Sequence, residues 1–252
     1  VKTVNRQAVN PYLPSWEYIP DGEPHVFNGR VYVYGSHDRF NAPIFCVNDY
    51  VCWSAPVEDL SEWRYEGVIY RKKQDPKNPL GYHLLFAPDV CQGPDGRYYL
   101  YYAFDFLGIM SVAVCDTPAG EYKFLGHIHY ADGTLWGRRR GDQLPFDPGV
   151  LADDDGRVWL YSGFYNAVPA ILTGGHKLRC DGGTVLELEK DMVTIKTEPR
   201  VIFPKKGPGA FQGHEFFEAS SIRKEGKTYI FVYSSRHNHE LCYATSQSPD
   251  RD

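Results

Sequence analysis

APDVCQGPDGRYYLYYAFD, residues 87–105, joins a short apolar run to an aromatic run through a turn whose last residue is glycine. Asp-Gly between two such runs is a strong hairpin signal, because the turn needs a residue that tolerates positive φ. Three more segments follow the same plan: EPHVFNGRVYVYGSHD (23–38), PGVLADDDGRVWLYSGFY (148–165) and EASSIRKEGKTYIFVYSS (218–235). Their turns are Asn28-Gly29, Asp155-Gly156 and the weaker Glu225-Gly226, and the four turn glycines lie 67, 60 and 70 residues apart. A period of that length marks a repeat architecture.

Each hairpin is followed by further strand-like runs. The third strand of each unit reads DYVCWSA (49–55), SVAVCDT (111–117), TVLELEK (184–190) and CYATSQS (242–248). The fourth reads WRYEGVIY (63–70), YKFLGHIHY (122–130) and VTIKTEPRVIF (193–203). Four antiparallel strands repeated around an axis are the blade of a β-propeller. An all-β single domain is therefore expected over 1–252, with blades at roughly 21–70, 86–130, 147–203 and 216–252. Little helix is expected, since no stretch spaces its apolar residues at 3.6. The fourth unit stops after its third strand, so the chain is expected to supply about four blades and to leave an edge that folded proteins close or cover.

Composition agrees with short strands and tight turns: 19 Tyr, 14 Phe, 24 Gly and 18 Pro. A net charge of −5 with no basic run excludes the electrostatic footprint of a nucleic-acid binder, and Arg138-Arg139-Arg140 reads as a solvated loop. No run approaches the roughly 20 apolar residues of a membrane span, and Val1–Arg6 begin no secretory signal. Six scattered cysteines without a CxxC pair read as free thiols, which points weakly to a cytoplasmic protein.

Each unit carries an acid seven to nine residues before its turn glycine: Asp21, Asp89, Asp147 and Glu218. The first strand of a blade is innermost, so these positions converge on one mouth of the central channel. A lone acid before a strand more often caps a loop, but repetition at matched offsets favours a shared cavity. Glycoside hydrolysis needs two carboxyl groups in different protonation states, and a third acid nearby can keep the donor protonated.

With these motifs the chain resembles glycoside hydrolase family 43, five-bladed propellers acting on arabinose- and xylose-containing glycans. The resemblance runs from Asn10-Pro11 to Ser234-Ser235. It rests on IPDGEPHVFNGRVYVYGSHD, FDPGVLADDDGRVWLYSG and FFEASSIRKEGKTYIFVYSS. It implies Asp21 as general base, Asp147 as the residue that orients the acid and tunes its pKa, and Glu218 as general acid. It gives Asp89 no chemical role, and a hydrogen-bonding role at the strand start is expected there. Many family members bring a histidine and a bound cation to the axis with the fifth blade. Here no cofactor is required, and a cation such as calcium is compatible with the resemblance but not indicated by these residues. The missing fifth blade is expected from a further chain or segment.

The ends of the second strands should meet the acids at the same mouth: Ser36-His37-Asp38, Phe104-Asp105, Phe164-Tyr165 and Ser235-Arg236-His237. From these and the strand starts, His37, Phe86, Phe164 and Arg236 are expected to bind sugar. His37 and His237 lack a ligand spacing such as HExxH, and Asp153-Asp154-Asp155-Gly156 lacks the further acids of a calcium loop. The expected reaction is hydrolysis with inversion, by a β-xylosidase or α-L-arabinofuranosidase, which needs base and acid roughly 6.5–9.5 Å apart. The rivals are a non-catalytic glycan-binding propeller and a propeller glycosidase of a related family, including those using phosphate, which need a basic pocket.

Overall fold

The computed structural model describes residues 10–251; Val1–Arg6 and Asp252 lie outside the described residues. Fifteen strands form four sheets, each meandering in chain order. Blade one comprises β1 (Glu23–Phe27), β2 (Arg30–Tyr34), β3 (Tyr50–Pro56) and β4 (Arg64–Tyr70). Blade two comprises β5 (Asp89–Gln92), β6 (Tyr98–Ala103), β7 (Met110–Cys115) and β8 (Lys123–His127). Blade three comprises β9 (Gly149–Ala152), β10 (Val158–Phe164), β11 (Gly182–Leu188) and β12 (Arg200–Pro204). Blade four has three strands, β13 (Phe216–Glu225), β14 (Thr228–Ser235) and β15 (Leu241–Ser246). All pairings between these strands are antiparallel, and the only helix among the described residues is one 3-10 turn, Lys72–Gln74. The fold is an all-β propeller of which this chain supplies four blades.

The hairpin turns differ in detail from the sequence reading. Asn28 and Gly29 both take positive φ, 50° and 76°, as a two-residue turn matching strand twist requires. In blades two and three the loop is longer: Gly96 and Gly156 amides bond back to the carbonyls of Gly93 and Asp153, with the glycine left-handed at the end. In blade four the turn is Gly226-Lys227, with glycine first. The fourth strand of blade three begins at Arg200 rather than Val193. Residues 193–195 are instead held by His129 and by an Asp191 carboxylate that accepts from the Val193 and Thr194 amides. The Arg138-Arg139-Arg140 segment is also not a simply solvated loop. Arg138 donates to the carbonyls of Leu107 and Gly108, pinning a blade-two loop, and Arg139 stacks 3.4 Å from the Tyr130 ring centroid.

The core is divided into layers between blades. Tyr34, Tyr50, Tyr70, Leu100 and Tyr102 fill the space between blades one and two. Tyr101, Val112, Leu160 and Leu186 fill the next, and Tyr161, Phe216, Phe231 and Tyr233 the last. Strand parity makes this possible, since alternate residues face opposite neighbours. The buried tyrosines need partners for their hydroxyls, and Tyr102 donates to Asp75 while Tyr101 donates to the Met192 carbonyl. Two blade faces have no such neighbour among the described residues. On blade four Leu241 and Tyr243 are 83% and 73% exposed, and on blade one Val26, Tyr65 and Val68 are also exposed.

Candidate active site

The inner strands begin at one mouth of the ring, and there the backbone bends. Asp21, Asp147 and Ala219, the residue after Glu218, have φ of 54°, 45° and 60°. Non-glycine residues occupy this left-handed region at a cost that surrounding structure must hold, and such positions concentrate at functional sites. The bends turn the three acids off the strand direction. Asp21, Asp147 and Glu218 all line one cavity of about 310 Å³, together with Phe86 and Phe164. A second cavity of about 300 Å³ lies between blades three and four against Phe203, Ile222 and Phe231, and no carboxylate of the described residues lines it.

Each acid is held differently. Ser36 Oγ donates to Asp21 Oδ2 at 2.7 Å. Asp147 is almost fully buried, and its Oδ2 accepts from the Ala219 amide at 3.1 Å, so it grips the backbone beside Glu218. Burial pushes the Asp147 carboxyl well above its ordinary range, with Glu218 and Asp21 adding to the shift and the Ala219 amide opposing it. Burial, reinforced by the Asp21 charge, pushes Glu218 up to about 7. The nearest basic group to Glu218 is His239, whose Nδ1 lies 3.8 Å from Oε1. The cavity thus holds a carboxyl that keeps its proton up to about 7 beside those of Asp21 and Asp147, within aromatic walls. Cys46 also lines it, but burial pushes its thiol up to about 12, so it supplies no nucleophile at neutral pH.

Two expected sugar contacts are not on the cavity wall. His37 Nδ1 meets the Asp49 carbonyl at 2.9 Å and Nε2 meets Glu17 at 2.9 Å. His37 lies beyond the end of β2, and these two partners hold its ring away from the cavity. Arg236 lies outside the cavity lining, donating to the Tyr165 hydroxyl at 2.9 Å near Glu215. Asp38, part of the strand end expected at the mouth though not one of the four chosen sugar contacts, lines the cavity, and the sequence reading names none of Phe45, Cys46, Phe106 and Phe146 for it. Phe146 directly precedes Asp147 in the sequence. Phe45 and Cys46 sit in a loop with no repeat signal.

Asp89 is outside this cavity. Its Oδ1 meets His25 Nε2 at 2.6 Å and accepts from its own neighbour's amide, Val90, while Oδ2 accepts from the Val150 amide, tying blades one, two and three. Glu23, His25 and Asp89 bring ligand atoms within 4.8 Å of one another, as an axial cation would need. They do not fit one: Arg223 and Ser221 already engage Glu23, and both Asp89 oxygens are committed. A hard cation wants six or more free oxygens.

The model of glycosyl hydrolases family 43 matches residues 20–251. A xylosidase/arabinosidase of Thermoclostridium stercorarium is 60% identical over 252 residues, covering 98% of this chain and 51% of that protein. The chain therefore spans about half that relative's length. A xylosidase/arabinosidase of Bacteroides ovatus is 31% identical, with 94% and 77% covered. Among solved structures, a family 43 enzyme from Xanthomonas citri complexed with xylose superposes with a TM-score of 0.70 at 26% identity, over 92% of this chain and 71% of that one.

Proposed function

The chain belongs to glycosyl hydrolases family 43, and on that premise we propose that it removes or cleaves pentose units of xylose- or arabinose-containing glycans, with inversion at the anomeric carbon. The carrying observation is Glu218, raised to about 7 in a cavity shared with Asp21 and Asp147. Glu218 is the general acid, protonating the leaving oxygen. Asp21, fixed by Ser36, is the general base that takes a proton from water as that water attacks. Asp147 positions Glu218 through the Ala219 amide. Its electrostatic coupling to Glu218 shows on its own carboxyl, which Glu218 helps to push up. The names of the two relatives support the pentose class. No Lys or Arg of the described residues lines the cavity, which weighs against phosphate as the attacking group.

A fifth blade from a segment beyond these 252 residues completes the ring in this reading. Support comes from the exposed apolar faces of blades four and one, whose Leu241, Tyr243, Val26 and Tyr65 have the residue types that fill the other interblade layers. At about 25 cal/mol per Å², covering a few hundred Å² there contributes several kcal/mol.

The test is hydrolysis by the full-length protein of nitrophenyl xyloside, nitrophenyl arabinofuranoside and polymeric arabinan, with the first-formed product anomer followed by NMR. Inverted product from a pentoside is expected. Activity on none, with sugar binding retained, would return the glycan-binding reading.

A further inference from the structure

The geometry points to Asp38 as a fourth carboxylate of the site, one that binds the sugar at the cleavage point and balances the positive charge it develops. The inference rests on the hydrolase reading above. Besides the three acids already assigned, Asp38 is the one charged side chain lining the cavity among the described residues, and the rest of the wall is phenylalanine, proline, alanine and cysteine. A pentose has several hydroxyls to satisfy, and apolar walls satisfy none.

Asp38 is also built in rather than loosely exposed. Its amide donates to the Tyr18 carbonyl at 2.9 Å, its carbonyl accepts from Asn48 Nδ2 at 2.7 Å, and its Oδ1 accepts from the Cys46 amide. Those bonds fix the carboxylate, while Oδ2 has no hydrogen-bond partner among the described residues and remains able to accept from a hydroxyl. The same hairpin end carries Ser36, which holds Asp21, so base and Asp38 are set by one piece of backbone. Glycoside cleavage passes through an oxocarbenium-like state. In a cavity that no Lys or Arg of the described residues lines, a fixed anion that is not consumed in proton transfer stabilises that state more than the neutral ground state.

The test compares binding of two probes to the full-length protein by calorimetry: a cationic iminosugar of pentose shape, and the neutral free pentose. Asp38→Asn keeps an oxygen for the Cys46 amide and removes the charge; Asp38→Ser, a second variant, keeps a smaller acceptor. Each should weaken the iminosugar about tenfold more than the free pentose, as expected for losing a charge-assisted contact. Equal weakening of both probes, unchanged binding, or a wild type that binds neither overturns the inference. A wild type that binds both with this difference but hydrolyses no pentoside breaks the hydrolase reading alone.

Discussion

Asp75 and Asp147 are both buried carboxyls of the same ring, and they shift in opposite directions. Burial alone would raise Asp75, yet it ends below its ordinary value because His127 Nε2 at 3.0 Å, the Lys77 amide at 2.8 Å and further donors surround it. Asp147 has one donor, the Ala219 amide, and two carboxyl neighbours, and it ends well above. Burial is common to both, so what separates a structural carboxylate from a reactive one here is the count of donors against like charges. The inner cluster limits the lesson. Burial and Asp89 push Glu23 up, and Arg223, His25 and Ser221 oppose the shift without reversing it, so Glu23 stays above its ordinary value.

The largest effect should separate the two regions outright. Glu218→Gln removes the proton donor and should cost about 10²–10⁴-fold in kcat on alkyl glycosides, and far less on nitrophenyl substrates, whose leaving group needs no proton. Asp147→Ala frees the Ala219 amide and should cost about 10²-fold through misplacement of Glu218. Asp75→Ala should leave kcat near wild type at temperatures where it is folded. Equal losses of Glu218→Gln on both leaving groups would remove Glu218 from the donor role, and a large kcat loss in Asp75→Ala would erase the contrast.

Stability should show the reverse order. Asp75→Ala strands His127 and leaves the Tyr102 hydroxyl with Tyr70 as its one remaining partner among the described residues, and should cost roughly 3–5 kcal/mol, read by denaturant unfolding. If His127→Ala in the same background costs nothing further, the pair acts as a unit.

A finer test concerns the origin of the Glu218 shift. Activity as kcat/KM should fall as pH rises through about 7, where Glu218 loses its proton. Asp21→Asn removes the like charge, so the Glu218 carboxyl, followed by carbon NMR, should titrate lower than in wild type. No movement would mean that burial alone raises it.

How much of this was legible depended on periodicity. The turn glycines repeat because each hairpin needs a positive φ, and the acids repeat because each inner strand starts at the mouth, so both could be read from offsets along one chain. Asp89 shares the offset, but its partners His25 and Val150 come from other blades, and no spacing reveals them. His37 lies off the cavity wall because Glu17 and the Asp49 carbonyl hold its ring, partners that no spacing reveals. Phe45 and Cys46 reach the cavity from a loop whose path is set by tertiary contacts such as Asp38 to the Cys46 amide. The same holds for Arg138, whose carbonyl partners lie some thirty residues away.

The smallest expected effect is on stability against pH, and it carries the comparison into one measurement. Glu218 holds its proton in the folded state up to about 7 but releases it near its ordinary 4.5 when unfolded. Between those values the folded protein binds more protons, so this group makes stability fall as pH rises across that window, and Asp147, raised for the same reason, acts in the same sense. Asp75 works oppositely: its folded value lies below the ordinary 3.8, so its contribution is present above that and is lost as pH falls through the folded value. Melting temperature should therefore decline from the acid side toward pH 8. Glu218→Gln replaces the ionised group with a neutral one of the same shape, so it should melt about 2–4 °C above wild type at pH 8, a shift worth about 1 kcal/mol in a protein of this size. At pH 4, where Glu218 is protonated in both states, the difference should vanish. A variant no more stable than wild type at pH 8 would mean that donors balance the Glu218 charge as they balance that of Asp75, and the distinction between the two regions would fail at its most sensitive point.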